Sequence, residues 1–233
     1  MNLFDGRRVL VTGTASGAGR ATAAAFVESG AAVVGVDIAD QADATWDSLV
    51  ADLSDPEAIA RVLADVGEID VLVNAHGVLR PQAIEEISAD DFDRVIAVNL
   101  RSVFLLCQAF APAMVERGWG RLINFSSVVA HTGGVTSAAY AAAKAGVIAM
   151  SKSMARRYAP DGVTVNSIAP AAIDTPLNAF LTEDQRADIE ASIPVGRFSQ
   201  PEEFAAVVLF LASEDAGYIT GATIDVNGGW AMT

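Results

Sequence analysis

The chain has 233 residues, of which 52% are hydrophobic and 19% are charged, a composition typical of a globular α/β protein and not of a disordered or fibrous chain. Its formal net charge of −14 disfavours nucleic acid, anionic membranes and acidic carrier proteins, because all of these are negatively charged. We therefore expect a small, neutral substrate molecule, with no nucleic acid and no membrane as partner.

The N-terminal residues and the single cysteine indicate the compartment. The sequence MNLFDGRRVLVTG lacks the basic, apolar and small-residue regions of a secretory signal. Cys107 has no second cysteine to pair with, and its apolar neighbours indicate a buried thiol. The longest apolar region, Val95–Val115, contains Asn99, Arg101 and Gln108, which favours a buried helix over a membrane span. We expect a cytoplasmic protein.

Short β-branched runs alternate with longer alanine-rich segments along the whole chain. This alternation predicts βαβ units and a parallel sheet covered by helices on both faces, within one domain over residues 1–233. The expected fold class is a Rossmann-type, doubly wound α/β sheet. The predicted strands are Arg8–Thr12, Ala32–Asp37, a short strand near Trp46–Ala51, Asp70–Asn74, Arg121–Ser126, Val163–Ala169 and Thr223–Val226.

Capping signals and one short interval refine this expectation. Capping boxes predict helix starts at Ser54–Glu57, Ser88–Asp91 and Ser199–Glu202. Only 14 residues separate Asp37 from Asp52, and they must include a strand. The crossover between those two strands is therefore expected to contain a turn in place of a helix.

A glycine-rich segment, Thr12–Gly19, directly follows the first predicted strand and opens the first helix. Glycines at this point allow a tight turn and let the backbone approach a pyrophosphate, which the N-terminus of the helix can bind. A turn needed only for packing is the alternative. The candidate cofactor-binding residues in this loop are Gly13, Ser16, Gly17, Ala18 and Gly19.

Asp37 ends the second predicted strand, 18 residues after Gly19. A carboxylate there can accept hydrogen bonds from the ribose hydroxyls of a dinucleotide. A 2′-phosphate would meet this negative charge without a compensating arginine, since the neighbouring positions hold Ser16 and Ile38. The sequence thus favours NAD over NADP, with a solvated aspartate as the alternative.

Tyr140 and Lys144 are four residues apart on a predicted helix, so their side chains project from one face. A tyrosine has an ordinary pKa of about 10 and needs a neighbouring positive charge to act as an acid–base group near neutral pH. Lys144 can supply that charge by stabilising the phenolate. The pair is therefore a candidate catalytic centre.

Together these motifs resemble the short-chain dehydrogenase/reductase family over the whole chain. The resemblance implies an NAD-dependent oxidoreductase that acts on a secondary alcohol or ketone, and a homotetramer. The apolar composition of two long predicted helices, Asp91–Arg117 and Ser137–Ala159, also favours an oligomer. The resemblance rests on Thr12–Gly19, Asn74-Ala75-His76-Gly77, Asn99, Ser127, Tyr140-Ala-Ala-Ala-Lys144, Ile219-Thr220-Gly221 and Asn227-Gly228-Gly229.

The family resemblance also implies individual roles. Ser127 precedes Tyr140 by 13 residues, the separation the family uses, and is preferred over Ser126 as the residue that binds the substrate oxygen. Asn99 resembles the asparagine that kinks a helix and binds a water linking Lys144 to solvent. No metal site is expected. The other implied cofactor contacts are Asp52 and Leu53 at the adenine, Asn74 at a strand end, Tyr140 and Lys144 at the nicotinamide ribose, and Pro170, Ile173 and Thr175 near the carboxamide.

Two residues depart from the family pattern, which usually has alanine at His76 and glycine at Ala171. Both added side chains should narrow the nicotinamide end of the site. We interpret His76 as a packed or water-bonded side chain, with substrate or cofactor contact as the alternative. His131 lies in the loop after Ser127 and is a candidate for the substrate pocket; a position outside the pocket is an equally weighted alternative.

Three other functions are alternatives to the oxidation of a simple alcohol. The segment Gly77–Arg80 and the residues around His131 resemble dihydroxybenzoate-forming dihydrodiol dehydrogenases, in which Arg80 could bind a carboxylate. Reduction of carrier-bound 3-oxoacyl chains is disfavoured by the net charge. A dinucleotide-sensing module without catalysis is disfavoured by the intact catalytic residues. We expect the substrate walls at Val78–Pro81 and Val128–Thr136, and a mobile lid over residues 174–198.

Overall fold

The computed structural model describes residues 3–134, 137–175 and 178–232. Within them, seven parallel strands form one sheet in the order β3-β2-β1-β4-β5-β6-β7. The chain reverses its direction of growth between β1 and β4, as in a Rossmann-type doubly wound sheet. The strands are β1 (Arg8–Thr12), β2 (Ala32–Asp37), β3 (Asp47–Val50), β4 (Val71–Asn74), β5 (Gly120–Phe125), β6 (Val163–Pro170) and β7 (Thr223–Val226).

Helices cover both faces of the sheet. Short 3₁₀ segments lie at Ile84–Glu86 and Ala159–Asp161, and a π-helical segment at Ala97–Arg101 joins two α-helices. The α-helices are α1 (Gly17–Glu28), α2 (Pro56–Val66), α3 (Ala89–Ile96), α4 (Ser102–Arg117), α5 (Val129–Thr132), α6 (Ala138–Tyr158), α7 (Glu183–Ser192) and α8 (Pro201–Ala212).

The core has two layers, one on each side of the sheet. Alternate residues of a strand point to opposite faces, so Leu10 packs with α2, α4 and α6, whereas Val9 and Val11 pack with α1 and α8. Both faces of the central strands are fully buried, which explains why their sequences are apolar without alternation. The doubly wound fold expected from the sequence is confirmed.

Two of the three predicted helix starts are displaced by one residue. Ser88 accepts a hydrogen bond from the backbone N–H of Asp91 and caps α3 as expected. The cap of α2 is Asp55, not Ser54, and the cap of α8 is Gln200, not Ser199. In both cases a proline occupies the first helical position after the cap, where its missing N–H costs nothing.

The crossover between β2 and β3 has no helix, as its length predicted. Trp46 and Thr14 occupy the space beside Gly35, where a Cβ would lie 2.4 Å from the indole nitrogen. The Gln41 Oε1 accepts hydrogen bonds from Trp46 Nε1 at 3.2 Å and from Thr14 Oγ1 at 2.6 Å. The short crossover thus contacts the glycine-rich loop directly.

The continuous helical stretch Ala89–Arg117 is the one segment in the described parts of the chain long and apolar enough to cross a membrane. Half of its most apolar window is buried inside the protein. Leu106, Cys107, Ala111 and Met114 are fully buried within the core layer that α4 forms against the sheet. Its apolar character therefore belongs to a core helix.

Candidate active site

A cleft of about 1020 Å³ opens at the carboxyl ends of the strands. The sheet register places Thr12 beside Val36 and Asn74, so these strand ends meet at one edge. Ligands of doubly wound sheets bind at this edge, where the strand order reverses. The cleft is lined by residues from the glycine-rich loop, from the ends of β2, β5 and β6, from α6, and from the segment after β6.

The glycine-rich loop is built by close backbone contacts. Gly13 and Gly17 have φ angles of +77° and +57°, a region that favours glycine. A Cβ on Gly13 would lie 2.9 Å from the backbone of His76, and one on Gly19 would overlap the carbonyl oxygen of Gly13. Ser16 caps α1 without a side-chain hydrogen bond. The first turn of α1 therefore offers its N–H groups to the cleft, a cradle suited to a pyrophosphate.

The carboxylate of Asp37 lies at the end of β2 beside this loop. One oxygen accepts from the backbone N–H of Ala15 and the other from that of Ala39, both at 3.0 Å. These bonds hold the carboxylate at the wall of the cleft, which it lines. Arg20, the nearest cation in the sequence, is engaged elsewhere, because its guanidinium pairs with Asp43 at 2.8 Å.

Asp52 and Leu53 line the same end of the cleft. Asp52 accepts from the backbone N–H of Ser54 at 2.9 Å and pairs with Arg94 at 3.3 Å. Hydrogen bonding from Ser54, aided by the charge of Arg94, holds the pKa of the Asp52 carboxyl below its usual value. Arg94 also lines the cleft and donates to the Ser54 hydroxyl at 2.9 Å. The carboxylate is thus ionised and fixed in place.

Tyr140 and Lys144 lie on α6 and face the middle of the cleft. The Lys144 Nζ lies 5.7 Å from the centre of the Tyr140 ring. Burial lowers the pKa of Lys144 to about 8 and raises the pKa of Tyr140 to about 12, because each loses water around its charged form. A hydrogen bond with Ser127 opposes the shift at Tyr140. The structure therefore brings Ser127, Tyr140 and Lys144 together.

Ser126 and Ser127 follow β5 and face different partners. The Ser126 hydroxyl donates to the backbone carbonyl of Lys144 at 2.8 Å and so secures α6 to the sheet. Ser127 interacts with Tyr140 and, through its Oγ, accepts weakly from the backbone N–H of Val129 at 3.4 Å. The arrangement leaves Ser127 as the serine beside the tyrosine.

Asn99 lies in the π-helical segment and is completely buried. Its side-chain oxygen accepts from the N–H of Val78 at 3.1 Å, and its amide donates to the carbonyls of Val78 and Val95, both at 3.0 Å. The π-helical segment has about one more residue per turn than an α-helix, and such bulges are often found at functional sites. The side chain thus ties the helix to the loop after β4.

Comparison with known proteins identifies the family of this site. A family model described as "Enoyl-(Acyl carrier protein) reductase" matches residues 13–231, which include the cleft and all four residues named as catalytic candidates. A curated relative, the 3-oxoacyl-[acyl-carrier-protein] reductase FabG of Salmonella typhimurium, is 43% identical over 98% of this chain and 99% of its own. The chain belongs to the short-chain dehydrogenase/reductase family. It is an oxidoreductase that acts on CH–OH or keto groups, and the family implies a nicotinamide dinucleotide cofactor.

Solved structures of other short-chain dehydrogenases/reductases agree with this fold. A putative NAD(P) dependent gluconate 5-dehydrogenase from Beutenbergia cavernae with bound NADP has a TM-score of 0.92 and 36% identity, with 97% of each chain covered. A putative 2-deoxy-d-gluconate 3-dehydrogenase from Agrobacterium tumefaciens with bound NADP has a TM-score of 0.92 and 34% identity, with 99% of each chain covered.

The side chain of Asn74 does not reach the short-chain dehydrogenase cleft. It is buried, and its amide donates to Asn124 Oδ1 at 2.8 Å, within a polar network that includes Cys107 and Ser151. Asn74 is thus at the end of β4, as expected, but its side chain points away from the cleft, and its place beside the cofactor stays a prediction. Burial raises the pKa of the Cys107 thiol to about 12, so the thiol stays protonated.

Pro170, Ile173 and Thr175 line the cleft as the family resemblance implied. Thr175 packs on the glycine-rich loop, since a Cβ on Gly17 would lie 2.9 Å from the methyl group of Thr175. A β-bridge between Ile173 and Ser199 joins the two ends of the lid segment. Within this segment Phe180, Leu181 and Ile189 line the cleft, while residues 176–177 of the lid and 135–136 of the expected wall lie outside the described residues.

Two candidates for substrate contact are engaged outside the cleft. His131 Nε2 lies 3.6 Å from a carboxylate oxygen of Asp225 on β7. Arg80 forms an ion pair with Asp91 at the start of α3. Neither side chain lines the cleft. Asp225 and Asp91 lie on other elements of the fold, so the sequence around His131 and Arg80 did not reveal these ion pairs.

Arg94 and Trp230 are among the cleft residues that the sequence analysis did not identify. Trp230 reaches the cleft because Asn227 and the two glycines after it fold the chain back, with Asn227 Nδ2 donating to the Ala231 carbonyl at 2.8 Å. The Asn-Gly-Gly sequence was an available turn signal. No group of three or more potential metal-binding side chains occurs among residues 3–134, 137–175 and 178–232.

Proposed function

We propose that this protein is an NAD-dependent dehydrogenase/reductase that interconverts a neutral secondary alcohol and its ketone. The proposal is carried by one observation: Tyr140, Lys144 and Ser127 converge in a cleft whose glycine-rich end suits a dinucleotide. The bound cofactor would supply or accept the hydride.

The proposed proton chemistry belongs to Tyr140. In alcohol oxidation its phenolate accepts the hydroxyl proton, and in ketone reduction its phenol returns a proton to the oxygen. Ser127 holds that oxygen by a hydrogen bond and fixes its position for hydride transfer. Lys144 stabilises the phenolate with its ammonium and binds the ribose hydroxyls. Asn99 supports the loop beneath Lys144 and provides the route by which a water reaches it.

Cofactor placement follows from the rest of the cleft. Ser16, Gly17, Ala18 and Gly19 bind the pyrophosphate by their backbone, beside Gly13. The carboxylate of Asp37 accepts from the ribose hydroxyls, while a 2′-phosphate there would be repelled. Asp52 and Leu53 contact the adenine, and Pro170, Ile173 and Thr175 the carboxamide. This choice of NAD differs from the NADP bound in the two solved relatives, so the cofactor preference needs its own test.

The proposed neutrality of the substrate follows from the walls beyond Tyr140. Val78, Leu79, Phe180, Leu181 and Trp230 line this end and are apolar or aromatic. An anion would lose its hydration among them, and Arg80, the arginine that the sequence offered as its partner, is paired with Asp91. The chain's net charge of −14 opposes anions further.

A second candidate is the reduction of 3-oxoacyl thioesters, which the names of the curated relatives favour. FabG of Thermotoga maritima, for example, is 39% identical over 97% of this chain. The same apolar walls could hold an acyl chain. The net charge disfavours docking of an acidic carrier protein, so a thioester of a small carrier is the form of this candidate to test.

The deciding experiment is a kinetic comparison of a panel of substrates, in which turnover is measured by the absorbance of the reduced cofactor. Neutral secondary alcohols, a carboxylated dihydrodiol and a 3-oxoacyl thioester of a small carrier are compared by kcat/KM with each cofactor. A higher value for a neutral alcohol or its ketone supports the proposal. A higher value for the thioester establishes the second candidate, and a higher value for the dihydrodiol would contradict both.

We further propose that the protein is a cytoplasmic homotetramer. The family resemblance implies the tetramer, and Phe92 and Phe104, 41% and 40% exposed on α3 and α4, are the apolar side chains that we assign to its contacts. The sole thiol is buried and protonated, which suits a reducing compartment.

A further inference from the structure

His76 follows β4 by two residues, at a position where the family usually has alanine. Its backbone packs directly on Gly13, since a Cβ on that glycine would lie 2.9 Å from both N and Cα of His76. The residue also belongs to the lining of the cleft. The side chain therefore lies at the junction between the glycine-rich loop and the catalytic end.

The hydrogen bonds of the imidazole define its tautomer. Nδ1 lies 2.6 Å from Thr12 Oγ1, and Nε2 lies 2.7 Å from Ser102 Oγ. Ser102 donates its single hydroxyl proton to the Val98 carbonyl at 2.5 Å, so it accepts from an N–H on Nε2. Nδ1 then accepts from the Thr12 hydroxyl, whose other acceptor, the Val73 carbonyl, is farther away at 3.3 Å. The ring is neutral and both its nitrogens are bonded within the protein.

The surroundings keep the ring neutral. Burial, with a contribution from the positive charge of Lys144, lowers the pKa of His76 to about 3. The imidazole is thus not a proton carrier near neutral pH. What it offers is a rigid bridge between two elements.

The two elements are β1, which ends at Thr12, and the π-helical segment, which contains Val98. The side chain of Asn99, in this segment, hydrogen-bonds both the N–H and the carbonyl of Val78, which lies two residues after His76. Between these two attachments lies Gly77, where a Cβ would be 2.8 Å from Asn99 Oδ1 and 3.5 Å from Lys144 Nζ. The strip of chain below Lys144 is therefore held at both ends.

We propose that His76 is a positioning residue for the cofactor and for Lys144. By bridging Thr12 to Ser102 it fixes the glycine-rich loop relative to the π-helical segment and keeps Gly77 beneath the lysine. Alanine at this position could not span the two hydroxyls. The inference rests on the proposed function, because its effect is measured in the use of NAD.

The test compares His76→Ala with His76→Gln in the full-length protein. Loss of the bridge in His76→Ala should raise KM for NAD and lower kcat together, reducing kcat/KM about tenfold, since small displacements of reacting groups are costly. Glutamine keeps an amide N–H for Ser102, so His76→Gln should recover most of this loss. A defect in folding alone would lower the amount of active enzyme and leave KM unchanged.

The far end of the bridge provides an independent variant. Ser102→Ala should reduce kcat/KM about fivefold, as expected for one lost hydrogen bond, and should add little to His76→Ala. Ser213→Ala is the matched control, because Ser213 is also buried and donates to a carbonyl of its own helix, that of Phe210 at 2.8 Å, but has no histidine partner. The control should keep wild-type kinetics.

Unchanged KM and kcat in His76→Ala, or equal losses in Ser102→Ala and Ser213→Ala, would overturn the inference. A wild-type protein without NAD-dependent turnover would overturn the proposed function instead. NADH affinity, measured by quenching of tryptophan fluorescence, would still test the bridge in that case. Equal affinities in wild type and His76→Ala would then count against it.

Discussion

The ammonium of Lys144 donates to the backbone carbonyl of Phe125, the last residue of β5, over 2.8 Å. This bond joins the second turn of α6 to the carboxyl end of the sheet. The carbonyl holds Nζ at 5.7 Å from the centre of the Tyr140 ring, so the lysine charge lies beside that ring. The four-residue spacing puts both side chains on one face of α6, and the contact with β5 then fixes the position of the lysine ammonium.

Tyr140→Phe should reduce kcat by at least about a thousandfold and leave the affinity for NADH within about twofold, because it removes the transferred proton but little surface. Turnover and NADH fluorescence titration measure the two effects. Lys144→Ala should impair both quantities. Substantial turnover by Tyr140→Phe would mean that another residue is the acid–base group.

Asp37→Ser should narrow the preference for NAD over NADP, since the carboxylate that repels a 2′-phosphate is removed. We expect wild-type kcat/KM to be at least about tenfold higher with NAD, and the ratio to approach unity in the variant. Asp40→Ser is the control, because Asp40 is exposed three residues further along the turn. Equal kcat/KM values for the two cofactors in the wild type would contradict the cofactor assignment.

His76 should make the protein less stable in acid. Its pKa is lowered from 6.5 to about 3 in the folded state, so between these values the unfolded chain binds a proton that the folded chain does not. Stability is therefore lost as the pH falls from 6.5 towards 3, by at most about 1.4 kcal/mol per pH unit from this group. The free energy of unfolding, measured with urea at several pH values in this range, should fall less steeply with falling pH in His76→Gln than in wild type. Equal pH dependence in the two proteins would show that the ring titrates normally.

Arg80→Ala should change kcat/KM for neutral alcohols by less than about twofold. Arg80 is half exposed and paired with Asp91, and such surface ion pairs contribute about 1 kcal/mol or less to stability. Kinetics with a neutral alcohol and with a carboxylated dihydrodiol check this. Selective loss of dihydrodiol activity would show that Arg80 leaves Asp91 to bind a carboxylate, and would replace the proposed substrate class.

Light scattering at micromolar protein concentration should give the mass of a homotetramer. Charged substitutions on the outer face, Phe92→Glu with Phe104→Glu, should dissociate it, because both aromatic rings are exposed on the isolated chain. Phe210 on α8 is 49% exposed, more than either of these rings, so Phe210→Glu tests whether that face also belongs to the assembly. A wild-type monomer at this concentration would refute the assembly proposed.

The sequence determined the architecture and the candidate catalytic pair, because both depend on local patterns. Three strands, β1, β2 and β7, have the bounds predicted from β-branched runs alone. The glycine-rich loop was recognisable from its place between a strand and a helix, and the spacing of Tyr140 and Lys144 fixes a shared helix face.

Only the tertiary structure decided where polar side chains near the site find their partners. Asn74 bonds to Asn124, 50 residues away, and the imidazole of His76 reaches Ser102, 26 residues away. His131 turns to Asp225 on the opposite side of β6, outside the cleft. A motif defines the type and order of such residues, but their hydrogen-bond partners lie on other elements, and packing of the sheet and helices selects one of several possible directions for each side chain.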